Sequence, residues 1–391
     1  MSNEHIRFGL IGAGRMAGYT LFDLMKDHPL VKPVAWFELD PARPDTAERI
    51  PRLHQAGLTP CGSLDELLRR DDLDVILNLT PHYAHAETTV AALRAGHHVL
   101  CEKPPACSWS DCQAMIDARD ATGRKLLIHF QHLLRPSARW LNRKLVAGEL
   151  GRIRRVRCLS LWWRDAAYYH RVPWGGKRLF QGRPTLDGTM VNQAVHFLNQ
   201  TLNFAQRSGE SYVAVPANLQ AKLYRFHEPG DLEMEDTAVV TGRLDNDDAT
   251  EFVFAATTCA AEAASADRAR EYRGLPEQHR ITIEGEHGTA RWDGTAQIDR
   301  PGQPLEICDT PDGPWPFYFH LHRVLRDEEP PVTPVEQSSQ TMRFIFATYA
   351  AAGDNIRQAS WSDAPQVAAT LRRCEQHACL PDQLDNPPAW A

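Results

Sequence analysis

With 391 residues, 43% of them hydrophobic and 24% charged, the chain has ordinary globular composition and is too long for a single core. A net charge of −7 excludes a general affinity for nucleic acid or an anionic membrane, and no apolar run approaches the roughly 20 residues that cross a bilayer. Nine scattered cysteines without a CxxC pair read as free thiols; as a β pattern begins at Ile6 with no signal sequence before it, the expected location is the cytoplasm.

Ile6–Ile11 is a compact apolar run ending in glycine, the pattern of a parallel strand buried on both faces. A helix is expected from Met16 to Asp27, with Met16, Tyr19 and Leu24 on its apolar face. A second strand, Val34–Phe37, stops at Glu38. Ser63 and Glu66 have capping-box spacing and open a short helix to Leu68. The strand Asp74–Leu79 ends at Thr80-Pro81, and the helix Ala84–Ala95 ends at Gly96. His98–Cys101 is a strand running into Glu102-Lys103-Pro104. Ser108 with Asp111 caps a helix that Gly123 terminates, and Leu126–Phe130 is the last strand of a domain spanning residues 1–130. This alternation of strand and helix implies a parallel, doubly wound sheet.

Beyond residue 130 the pattern changes. Pro136 starts a helix that runs to Gly148. Arg152 to Arg157 reads as an exposed strand carrying solvated arginines. Longer alternating segments follow at Val156–Trp163, Ala238–Leu244 and Glu251–Thr257, and Asp245 to Asp248 joins the last two as a hairpin. The alanine-rich stretch Ala255–Ala269 reads as a strand end followed by a loop or short helix. Pro330-Pro331 precedes a helix from Glu336 to Asn355, and Leu380–Ala391 reads as an extended arm. Residues 131–391 are therefore expected to form an α+β domain with a large, mainly antiparallel open sheet.

Gly12-Ala13-Gly14-Arg15-Met16-Ala17 stands between the first strand and the first helix, as in a dinucleotide-binding turn. Gly12 permits the sharp turn, Gly14 lets the backbone approach a pyrophosphate, and Ala17 allows close helix–strand packing. The helix start offers N–H groups to the phosphates. Glu38, at the end of the next strand, suits the adenosine ribose hydroxyls and repels a 2′-phosphate, which favours NAD over NADP; Arg43 nearby tempers that preference. Read without a ligand, the same residues are a tight turn and a solvated strand-end charge.

Taken with that loop, Thr80-Pro81, His85 and Cys101-Glu102-Lys103-Pro104 resemble the Gfo/Idh/MocA family, named for glucose–fructose oxidoreductase, inositol dehydrogenase and a rhizopine-catabolism protein. The resemblance continues through Gly188 to His196, Glu235-Asp236-Thr237 and Ile283 to Thr289. It implies a Rossmann domain that binds NAD(P) through Gly12, Gly14, Arg15, Met16, Ala17, Glu38, Thr80, Pro81, His85, Glu102 and Lys103. It also implies hydride transfer at a secondary hydroxyl, with Lys103 beside the reacting oxygen after a cis Lys103–Pro104 peptide. His196 takes the place of the family's acid/base, in the range where imidazole exchanges protons. Asn192 stands where many relatives carry aspartate; an amide cannot exchange protons at neutral pH, so its expected task is to orient substrate. Homodimers or homotetramers through the second domain's sheet are implied as well.

Arg164, Tyr168, Tyr169, Trp174 and Lys177 resemble a branch of the family with paired tyrosines and a tryptophan before the Asn–His motif. Flat rings there suit a sugar, and the cations, Arg178 among them, suit a carboxylate or phosphate; ordinary sheet packing is the alternative, favoured for Trp162 and Trp163. Metal ligation is not expected: His82, His85, His97 and His98 cluster in sequence without a completing carboxylate or cysteine, and His320 and His322 read as solvated. The expected substrate is a sugar, sugar acid, cyclitol or related molecule bound in a cleft between domains. Two other functions are open: an NAD-dependent glycosidase with Tyr168 or Tyr169 as an extra base, and a non-catalytic sugar or cofactor sensor.

Overall fold

A computed structural model describes residues 5–20, 25, 27–205, 218–228, 230–246, 248–260, 278–308, 310, 316–353 and 355–358. The chain divides into two compact units, Met1–Leu134 with Asp312–Ser339, and Arg135–Pro311 with Gln340–Ala391.

In the first unit, six strands form one parallel sheet: β1 (Ile6–Ile11), β2 (Val31–Phe37), β3 (Thr59–Pro60), β4 (Val75–Asn78), β5 (His98–Cys101) and β6 (Leu126–Ile128). Their order is β3-β2-β1-β4-β5-β6. The chain reverses direction across the sheet between β1 and β4, where such sheets open a crevice at their carboxyl ends. The local signals act as expected. Ser63 Oγ accepts from Glu66 N–H at 3.0 Å and Ser108 Oγ from Asp111 N–H at 3.1 Å. Gly123 closes the helix Trp109–Thr122 in the left-handed region.

Three features of this unit differ from the sequence reading. In the first helix, of which Arg15–Tyr19 lies within the described residues, Met16 is 37% exposed, so Ala17 rather than Met16 faces the core; Leu24 lies outside the described residues. The helix Pro316–Leu325 was not foreseen. It places Phe317, Tyr318, Leu321 and Val324 in the same core as Phe8, Leu10, Val31 and Leu127. The boundary near residue 130 is thus one of several, because residues far along the chain return to complete the first core.

The second unit is built on nine strands. After β7 (Ile153–Leu161) and a separate small pair, β8 (Leu179–Phe180) and β9 (Arg183–Pro184), come β10 (Gln220–Arg225), β11 (Thr237–Arg243), β12 (Glu251–Thr257), β13 (Gln278–Gly285), β14 (Thr289–Trp292), β15 (Ala296–Asp299), β16 (Glu306–Cys308) and β17 (Ile356–Gln358). The order β16-β15-β14-β13-β7-β12-β11-β10-β17 is antiparallel except at β7/β12 and β10/β17. The hairpin β11–β12 forms as its alternation implies. Helices Pro136–Val146 and Val195–Phe204 pack on this sheet.

Arg152 and Arg154 are exposed as expected, but β7 is not an exposed strand. It lies between β13 and β12, and Arg155 Nη2 meets Glu251 at 2.5 Å while Nη1 meets Glu284 at 3.1 Å; Arg157 also pairs with Glu284. The helix near Glu336 runs from Val335 to Ala351. The stretch after Ala260 and the arm Leu380–Ala391 fall outside the described residues.

Candidate active site

At the switch point of the first sheet, Gly12 has φ of +99°, and a Cβ there would lie 2.8 Å from the Leu79 carbonyl oxygen. Only glycine fits this turn against the end of β4. At Gly14 the situation differs: a Cβ would make only ordinary contacts, 3.6 Å from Asp45 and 3.7 Å from Arg43. The protein's own packing does not require that glycine. Arg15 is exposed beside it. The Glu38 carboxylate folds back onto this loop, accepting from Ala13 N–H at 2.9 Å through Oε2 and from Asp40 N–H at 3.0 Å through Oε1. Arg43 Nη2 stands 3.8 Å from Glu38 Oε2.

Two neighbouring turns are tied together at the same edge. Asn78 Oδ1 accepts from Thr80 Oγ at 2.7 Å, and its Nδ2 reaches the His85 carbonyl at 3.0 Å and Thr89 Oγ1 at 2.9 Å. This shapes the Thr80-Pro81 turn. His85, 1% exposed, spans from the Thr80 carbonyl (2.7 Å from Nε2) to the Pro104 carbonyl (2.6 Å from Nδ1). Burial pushes its pKa down, while the two carbonyls favour the protonated form. His85 therefore braces the turn after β4 against the turn after β5.

Lys103 follows Glu102 at the end of β5, and the Lys103–Pro104 peptide is cis, as the resemblance implies. Glu102 is buried, with Oε1 2.6 Å from His129 Nδ1 and Oε2 accepting from Lys103 N–H at 3.2 Å. Burial alone raises such a carboxyl, but His129, Lys103 and His85 together hold it below the usual carboxylate range. Glu102 thus fixes the lysine's backbone from inside.

In the second unit, Asn192 and His196 lie on the turn and helix Val195–Phe204. Every residue of that helix is buried except His196, which is half-buried at its first turn. The turn before it rests on Glu235, whose Oε1 accepts from Met190 N–H at 3.0 Å and whose backbone carbonyl accepts from Thr189 N–H at 3.0 Å. A Cβ on Gly188 would clash with this carboxyl group.

The aromatic residues separate into two kinds. Tyr169 is 1% exposed, its hydroxyl 2.8 Å from Thr258 Oγ1, and burial raises its pKa well above the usual phenol value. It packs the interior and is not available to a substrate. Tyr168 is only half-buried: its hydroxyl accepts from Gln193 Nε2 at 3.0 Å and from Asn192 Nδ2 at 3.3 Å, and the guanidinium groups of Arg171 and Arg164 lie 3.5 and 4.9 Å from its ring centre. Trp162 packs on Phe197 and His279. Trp174 packs edge-on against Phe180, and Lys177 Nζ pairs with Glu233 at 3.0 Å. Arg164, Tyr168, Asn192 and Gln193 are thus one connected group, with Lys177 and Trp174 on the loop beside it.

Residues 6–130 match the model of the oxidoreductase family with an NAD-binding Rossmann fold, and residues 139–291 match the GFO/IDH/MocA C-terminal domain. The chain belongs to the Gfo/Idh/MocA family. A 4-carboxy-2-hydroxymuconate-6-semialdehyde dehydrogenase from Sphingobium is 39% identical over 87 residues, 22% of this chain and 28% of that protein. An inositol 2-dehydrogenase from Saccharopolyspora erythraea is 30% identical over 162 residues, 40% of this chain and 46% of that protein. The chain spans less than half the length of these curated relatives. The WlbA dehydrogenase of Chromobacterium violaceum, solved with NADH and UDP-GlcNAcA, superposes at a TM-score of 0.71 with 23% identity, over 91% of this chain and 96% of its own, which shows likeness of fold.

Within this Gfo/Idh/MocA chain the supporting roles of Asn78, Asp187, His129 and Glu235 were not foreseen; His129 and Glu235 lie 27 and 45 residues from the groups they hold, whereas Asn78 and Asp187 lie close to Thr80 and Asn192 but carry no recognisable cap or turn signal. It also missed the meeting of His227, Asp236 and Cys259, whose ligand atoms lie within 4.8 Å of one another. Asp236 Oδ2 is already taken there by the N–H groups of Phe226 (2.6 Å) and His227 (2.9 Å), so the group is a hydrogen-bonded cluster just beyond the ends of β10, β11 and β12. His320 is not solvated: it is fully buried and accepts from Val332 N–H at 3.0 Å. Among the described residues no helix is long and apolar enough to cross a membrane.

Proposed function

We propose that this Gfo/Idh/MocA protein is an oxidoreductase that moves hydride between NAD(H) and a secondary hydroxyl or ketone of a sugar, sugar acid or cyclitol. The observation that carries the reading is Lys103, held at the carboxyl end of β5 by the buried Glu102–His129 pair. Gly12, Gly14, Glu38, Thr80 and Pro81 would hold the dinucleotide, and the lack of a side chain at Gly14 lets the backbone approach a phosphate. When bound, the nicotinamide supplies the hydride acceptor. Lys103 stabilises alkoxide character on the substrate oxygen, and His196 takes the hydroxyl proton or returns it. Asn192 orients the substrate, with Tyr168 and Arg164 joined to it. A sensor needs neither the lysine nor the histidine, and their joint presence weighs against that reading. Cytoplasmic residence and association of copies through the nine-stranded sheet belong to the same proposal.

The test is NADH formation across sugars, sugar acids, cyclitols and nucleotide sugars, with product analysis for sugar released from glycosides without net NADH. Lys103→Ala is expected to lower turnover by at least about a thousandfold while NAD still binds. Undiminished turnover in that variant would remove Lys103 from the reaction, and NAD binding without turnover of any compound would favour a sensor.

A further inference from the structure

Asp187 is 2% exposed, in the turn leading to Asn192 and His196. Its two oxygens hold different segments. Oδ2 accepts from Gly176 N–H at 2.8 Å, which ties in the loop carrying Trp174 and Lys177; Oδ1 lies 2.6 Å from Asn192 Nδ2. An ionised carboxylate only accepts hydrogen bonds, so Asn192 must turn its NH2 group toward Asp187. A flipped amide would set two acceptor oxygens against each other at that distance. The second N–H of the same NH2 group is directed to the Tyr168 hydroxyl, 3.3 Å away. Both donor hydrogens of Asn192 are thereby engaged within the protein, and its carboxamide oxygen is directed away from Asp187.

On the reading of Asn192 and His196 as part of an oxidoreductase site, we propose that Asp187 is a positioning residue that fixes the orientation of the Asn192 amide, its NH2 group toward Asp187 and Tyr168 and its oxygen on the opposite side. An aspartate at position 192 would present an acceptor oxygen in either rotamer. An asparagine does so only if something decides which end of its amide points outward, and Asp187 makes that decision.

The experiment is an exchange of the two side chains, read by turnover of whichever panel compound the wild type oxidises and by thermal melting. Asp187→Asn keeps size and an acceptor for Gly176 but can donate to Asn192 and release its orientation; kcat/KM should fall about 10- to 100-fold with NAD affinity unchanged. Asn192→Asp alone sets two carboxylates together and should lower the melting temperature at pH 8 by roughly 5 °C. The double variant D187N/N192D restores one carboxylate, one amide and an outward acceptor. It should melt within about 2 °C of the wild type and recover kcat/KM to within a few-fold. A double variant no more active than D187N, or no more stable than N192D, overturns the proposal while leaving the oxidoreductase reading in place. A wild type that turns over nothing in the panel takes down both.

Discussion

Glu235 carries a buried carboxyl group directly beneath the turn that leads to Asn192 and His196. Burial raises its pKa from the usual 4.5 to about 7, against the opposing pull of the Met190 N–H and the Tyr349 hydroxyl. Between those two values the folded protein keeps a proton that the unfolded chain has released. The group's contribution to stability is therefore fullest below pH 4.5 and is lost as pH rises through 7, by about 3 kcal/mol in all. Glu235→Gln keeps an acceptor for Met190 and removes the ionisation, so its melting temperature should vary less between pH 5 and 8 than the wild type's. Equal slopes in the two proteins would mean that Glu235 is ionised throughout. At the other unit's cofactor loop, Glu38→Ala separates two roles of one carboxylate. Loss of the Ala13 anchor weakens NAD and NADP alike; loss of ribose recognition, with Arg43 left in place, raises the NADP-to-NAD affinity ratio. We expect the ratio to rise about tenfold by titration. An unchanged ratio would leave Glu38 as a loop anchor only.

At the scale of elements, what the sequence made legible was local. Ser63 with Glu66, Ser108 with Asp111, and Gly123 each act within a few residues, so their spacing alone reports the cap. The glycine loop, Thr80-Pro81 and Glu102-Lys103-Pro104 are equally compact. What stayed hidden depends on partners that the chain brings from afar. Arg155 looks solvated in sequence because Glu251 and Glu284, its cross-strand neighbours, lie 96 and 129 residues away. Glu102 gives no sign that His129, just past β6, will hold it, and Gly188 gives none that Glu235 fills the space a side chain would need. The aromatic cluster shows the same limit: Tyr168 and Tyr169 are adjacent in sequence, yet one is half-buried against Asn192 and the other is spent on Thr258. A short helix turns consecutive side chains to different faces, and only the tertiary packing decides which face meets solvent.

At the scale of the whole chain, the first unit is closed by residues that follow the larger part of the second. Ile128 N–H donates to the Thr333 carbonyl at 3.1 Å, Lys125 pairs with Asp327 at 2.5 Å, and Arg119 pairs with Glu336. Phe317, Tyr318, Leu321 and Val324 are buried in the first core, with Tyr318 edge-on to Phe8 at 6.1 Å between ring centres. Burying each such side chain stabilises by about 1.5–3 kcal/mol, so the four together contribute on the order of 8 kcal/mol. That matches the whole net stability of a typical domain. The consequence reaches the candidate site, because Phe317 also packs against His129, 4.6 Å between ring centres, and His129 holds Glu102. A fragment ending at Leu134 should therefore lack a cooperative melt and bind NAD weakly, although it contains every cofactor-loop residue. Joining residues 316–339 to it through a flexible linker should restore both the melt and NAD binding, as followed by circular dichroism and calorimetric titration. A sharply melting, NAD-binding fragment 1–134 would show that the returning segment decorates this core without completing it.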